Sequence, residues 1–131
     1  MIQNTAQSTA KNKYSNTIFS SLRIDGIHNW ENIPNTESLK DVQFLKSPHR
    51  HEWYIQCFKE VTHTDRDSEF IHLKRDILEF LRNKYWDDDM RSHMFGSMSC
   101  EMIGELLCDE FNLSKCIVTE DNENGSVTVR N

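Results

Sequence analysis

The sequence predicts an α+β domain in which two helices cover one face of a four-stranded antiparallel sheet, in the order β-β-α-α-β-β. Three observations lead there. Residues 49–61 (HRHEWYIQCFKEV) alternate with the period of a strand and carry aromatic residues on both faces. Two later stretches space apolar residues three and four apart, the period of an amphipathic helix. The chain then ends on two short β-branched runs around a glycine-bearing turn, which is the pattern of a hairpin. Strands grouped at both ends around paired helices favour a layered α+β arrangement over alternating βαβ units.

The elements follow in order. Residues 1–16 (MIQNTAQSTAKNKYSN) are polar and amide-rich, with too little apolar surface to offset the entropy of ordering, so they read as a flexible tail before a single domain at 17–131. Residues 18–24 mix β-branched and polar side chains and suit a half-buried strand. A long connection spans about 29–47, with Pro34 inside it and Pro48 at its end, and holds one helical turn around 37–44. On the strand at 49–61, His49, His51, Trp53, Ile55 and Cys57 share one face. Asp67 and Ser68 can cap a helix whose apolar stripe is Phe70, Leu73, Ile77, Phe80 and Leu81. A second helix starts near Ser97 or Ser99 and turns Met102, Ile103, Leu106, Leu107 and Phe111 inward. Between the helices, residues 86–96 show no clean period. Residues 116–120 and 126–129 form the closing strands, with the turn at 121–125.

Composition narrows the function. A chain of 131 residues fits one domain. Twenty-one Asp and Glu against fifteen Lys and Arg leave a net charge of −6, which opposes a nucleic-acid partner. No signal-like start and no run of about 18 apolar residues appears, so a soluble, cytoplasmic protein with no membrane partner is expected. Cys57, Cys100, Cys108 and Cys116 include no Cys-x-x-Cys pair and read as reduced, mostly buried thiols. A four-stranded sheet has open edges, and with so few prolines to blunt them a homo-oligomer is expected.

Six histidines in so short a chain draw attention to their positions. His49 and His51 leave the same strand face, as two ligands of one zinc ion require, although such a pair also occurs as a solvated or structural feature. His28 follows the preceding strand, where antiparallel pairing can bring it opposite them. Three imidazoles without a thiolate leave a position for water or substrate, the arrangement of a catalytic zinc site. His63 and His72 read as exposed turn and helix positions, Asp87, Asp88 and Asp89 as a solvated run, and Glu52 as a carboxylate able to orient an imidazole.

The chain resembles the 6-pyruvoyltetrahydropterin synthase and 6-carboxytetrahydropterin synthase family. The resemblance rests on Ile24-Asp-Gly-Ile-His28, on Pro48-His49-Arg-His51-Glu-Trp-Tyr54, on Glu69-Phe70 through Leu73-Lys74, on Ser97-Met-Ser-Cys-Glu101 and on Val118-Thr-Glu120, and it covers about residues 19–129. It implies the tunnelling fold, with subunits joined into a barrel as a trimer or dimer of trimers and active sites at their interfaces. It implies Zn2+ on His28, His49 and His51, and a dihydropterin or related purine-derived substrate, the 7-deazaguanine precursors included. Glu120 then holds the ring edge, Ser99 and Glu101 line its pocket, and the chemistry is elimination or retro-aldol lyase chemistry. Departures accompany these matches. Leu45 stands where the family's cysteine nucleophile does, Arg50 replaces a glycine, and the family's Asp-His pair has no counterpart at the same spacing. The base must come from elsewhere, with His93 the first candidate and Asp89 or Cys100 next. Cys100, at a helix start, is a place where a thiol pKa can be depressed. The alternative is a diverged zinc- and pterin-binding module without synthase activity.

Overall fold

The computed structural model describes residues 13–131; the expected tail lies largely outside them, and the first strand begins at Asn16, one residue before the expected domain start. The elements are β1 (Asn16–His28), a 3-10 segment (Glu37–Lys46), β2 (His49–Val61), α1 (Phe70–Tyr85), β3 (Trp86–Asp87), β4 (Ser92–Gly96), α2 (Cys100–Phe111), β5 (Lys115–Glu120) and β6 (Asn124–Val129). The fold is α+β, but its sheet has six strands in the order β3-β4-β1-β2-β5-β6 and is mixed, because β4 runs parallel to β1. This corrects the expectation of four antiparallel strands. The added strands fall in the stretch without a period. β3 has two residues, and in β4 the adjacent Ser92 and His93 are both buried, so no alternation survives to be read.

β1 and β2 pair along their whole lengths, from Asn16 opposite Val61 to His28 opposite His49. One face of this pair, with Leu22, Ile24, Trp53, Ile55 and Cys57, forms the core against Leu73, Ile77 and Leu81 of α1 and Ile103 and Leu107 of α2. Both helices therefore cover the same face, and Phe80 meets Phe111 edge-on between them at 5.5 Å. α1 is capped by Glu69, whose carboxylate accepts from Ile71 N, whereas the expected cap Asp67 accepts from Thr62 N and Oγ1 instead. α2 is capped by Ser99, whose Oγ accepts from Met102 N. Met102 is exposed rather than inward, because its neighbour Ile103 takes the core side of that turn.

The turn of the closing hairpin begins at Asp121 as expected but is shorter, ending at Glu123, so β6 begins at Asn124 rather than at residue 126. Asp121 and Asn122 both have positive φ, and Glu123 N donates to Glu120 O, the pattern of a type I′ turn within a three-residue connection between the paired Glu120 and Asn124. Gly125 lies within β6, paired with Thr119.

Candidate metal centre

The register of β1 with β2 brings His28 beside His49, and the pleat puts His51 on the same core-side face two residues on. Their ligand nitrogens lie within 4.8 Å of one another, close enough to hold a metal ion. Each Nδ1 faces a pure acceptor: the Met98 carbonyl from His28, the Ser47 carbonyl from His49 and the Asp121 carboxylate from His51, all at 2.8 Å. Each Nδ1 therefore carries the proton and donates, and each Nε2 is left with the lone pair a metal needs. His28 Nε2 and His51 Nε2 are buried with no hydrogen-bond partner. Burial pushes the His28 imidazole below its ordinary range, against the opposing pull of the Met98 carbonyl and Glu120, so its neutral form is favoured. Buried, unprotonated nitrogens converging on one place fit a site for a metal ion that takes imidazole ligands.

Three separate segments orient these rings. Met98 lies between β4 and α2, Ser47 ends the long connection, and Asp121 is the first residue of the type I′ turn. Asp121 also accepts from Glu52 N at 2.9 Å; that bond first, and the His51 bond second, hold its carboxyl below the usual range. The expected orienting partner, Glu52, is engaged elsewhere, with Arg23 at 3.2 Å and the Tyr54 hydroxyl at 2.9 Å. Asp121 is the residue that reasoning from sequence missed. Its signal was turn chemistry: two consecutive residues that tolerate positive φ, immediately after Glu120.

Beside the cluster opens a cavity of about 480 Å³. His28, His49 and Glu120 line it, and Trp30, Leu45, Met98 and Met102 supply apolar wall. Ser99 and Glu101 line it from the start of α2, so all three residues expected to bind substrate share one cavity with two of the histidines. Cys100 lines it too, but its thiol is pushed up to about 12 by burial and by the Glu120 and Glu101 charges, as suits a buried thiol rather than a nucleophile activated at a helix start.

His93 and Asp89 are not in this cavity. His93 sits on β4 opposite Gly26, with its Nδ1 donating to the Asp25 carbonyl. Trp53 and Phe95 stand between it and the cluster: Trp53 meets His28 and Phe95 edge-on at 4.7 and 5.3 Å, and Phe95 then stacks on His93 at 6.0 Å. Asp89 belongs to the exposed turn before β4, where its backbone N–H donates to Asp87. His63 and His72 are exposed. Arg50 points away from the cluster, to Asp25 and to the Met90 carbonyl.

No family model and no curated protein matches the chain. Among solved structures, the crystal structure of an uncharacterized protein of Wolinella succinogenes, WS1659, is similar, with a TM-score of 0.64 and 9% sequence identity over 91% of this chain and 100% of that one. At that identity the likeness concerns the fold. Among the described residues no helix is long and apolar enough to cross a membrane.

Proposed function

We propose that this chain is a zinc-dependent protein of the pterin synthase type, which takes a dihydropterin or related purine-derived ring into the cavity beside the histidine cluster. The observation that carries the reading is the set of three Nδ1–H groups tied to three acceptors, which turns three Nε2 lone pairs toward one place beside the cavity. Zinc bound there supplies Lewis acidity toward a hydroxyl or carbonyl oxygen of the ring's side chain. The apolar wall of Trp30, Leu45, Met98 and Met102 suits the faces of a flat ring, and the Glu120 or Glu101 carboxylate suits its amino, ring-NH edge. Val127 and Val129 are exposed on the edge strand β6, which supports subunits joining sheet to sheet.

A second reading is a binding module without synthase turnover. It is favoured by the cavity's supply of proton acceptors: Leu45 has none, Cys100 holds its proton, and His93 lies behind Trp53 and Phe95. In the enzyme reading the base is then Glu101 or Glu120. Metal analysis of the purified protein, followed by incubation with dihydroneopterin triphosphate, separates the two. One zinc per chain with triphosphate release that His49→Ala abolishes supports the enzyme, and ring binding without release supports the module. A protein that takes up no zinc refutes both.

A further inference from the structure

Glu120 ends β5 opposite Trp53, and both of its carboxylate oxygens are turned to the imidazoles. Oε2 lies 3.1 Å from His28 Nε2 and Oε1 lies 3.3 Å from His51 Nε2. Neither approach is a hydrogen bond, since both Nε2 atoms are buried without a partner. With the protons held on Nδ1, each Nε2 presents a lone pair, and a lone pair beside a carboxylate oxygen is repulsive unless a cation lies between them. Zinc bonds to nitrogen and oxygen of about 2.0–2.2 Å place neighbouring donors of a tetrahedron about 3.3–3.6 Å apart. The two separations at Glu120, one from each oxygen, lie at or just below that spacing, so a small turn of the carboxylate brings one oxygen to a donor position.

We propose that Glu120 is a fourth protein ligand of the metal, completing a three-histidine, one-carboxylate set on the His28–His51 side of the cluster. The inference rests on the zinc reading above and deepens it. The metal is closed by a protein carboxylate, which only a ligand already held by its ring in the cavity displaces. Because both Glu120 oxygens face the imidazoles, recognition of the ring's amino edge falls to Glu101, the other carboxylate lining the cavity. Cys100 Sγ, 3.8 Å from Oε2, touches the same carboxylate from the α2 side.

The test uses the full chain, stripped of metal by chelation and titrated with Zn2+ or Co2+ against a chromophoric chelator. Glu120→Gln keeps the side chain's shape and removes its charge. Its affinity is expected to fall more than about 100-fold, beyond the 10–100-fold that losing an orienting partner gives. The wild-type cobalt form is expected to show a tetrahedral visible spectrum that azide leaves unchanged, and the Glu120→Gln form to expose a position that azide fills. Wild-type affinity in a folded Glu120→Gln protein overturns the assignment while leaving the three-histidine site in place. A saturable azide shift in the wild-type cobalt form overturns it in the same way, and needs no variant to fold. Failure of the wild type to bind either metal overturns the zinc reading as well.

Discussion

Replacing Asp121 by Asn tests whether the hairpin turn orients the metal centre. Asn tolerates the positive φ of this position, and its side-chain oxygen can still accept from Glu52 N, so the turn and the register of β5 with β6 survive. What changes is the group facing His51 Nδ1, where an amide NH2 replaces the carboxylate oxygen at 2.8 Å. Two donors then oppose each other. The ring relieves this by moving its proton to Nε2, which removes the lone pair a metal needs. Loss of an orienting carboxylate lowers metal affinity by about 10–100-fold, or about 1.4–2.8 kcal/mol. The metal-free fold loses less than about 1 kcal/mol, because the Asp121 side chain is 47% exposed and solvent screens its charge. Competition titration with zinc measures the first quantity, and urea unfolding of the metal-free protein the second. Unchanged zinc affinity, or a stability loss larger than the affinity loss, refutes the reasoning. The sign of the pH dependence is also fixed. The Asp121 carboxyl is held below its ordinary 3.8, so its contribution to stability is complete above that value and is lost as pH falls through the lowered one.

Two further predictions concern the packing behind the site. A Cβ on Gly26 would lie 2.5 Å from Phe95 Cε2 and from Trp53 Nε1, so Gly26→Ala is expected to cost about 1–3 kcal/mol in urea unfolding and to weaken zinc binding by displacing the indole that packs on His28 and His51; unaltered stability contradicts the close approach. His93 is held below its ordinary 6.5 by burial, with Arg82 adding to the shift and the Asp25 carbonyl opposing it. The unfolded chain therefore takes up a proton that the folded one refuses, and stability falls as pH drops below 6.5. In metal-free protein, His93→Phe should flatten this decline between about pH 7.5 and 5.5 and leave the part due to His28, whose imidazole is shifted the same way. An undiminished slope rules out His93 as its source.

The parts of the fold legible in the sequence are those whose burial is one-sided. β2 alternates because one face meets the helices, and the stripes of both helices keep their three-and-four spacing for the same reason. β4 is hard to read because Ser92 and His93 are both buried, its local antiparallel partner β3 has only two residues, and its other partner β1 is far away in sequence. Parallel pairing of this kind leaves no local turn to read. Gly125 makes the turn look longer than it is: Asp121 and Asn122 do the turning, and Gly125 lies in β6 where a Cβ would meet the backbone of β5.

The site divides along the same physical line. His28, His49 and His51 were legible because two of them share one strand and the third is fixed by an unbroken antiparallel register. The groups that orient their rings were not, because Met98, Ser47 and Asp121 come from three connections whose conformations are set by distant packing. This has an energetic consequence. A metal that binds only when all three anchors are in place stabilises the folded chain by its own binding free energy, about 2.7 kcal/mol at a hundredfold excess over the dissociation constant. That stabilisation is shared by the end of the long connection, the step into α2 and the closing hairpin, since loosening any one frees an imidazole. Metal binding should therefore order the rim of the cavity from three directions at once, and the rim is where any ring ligand has to be gripped.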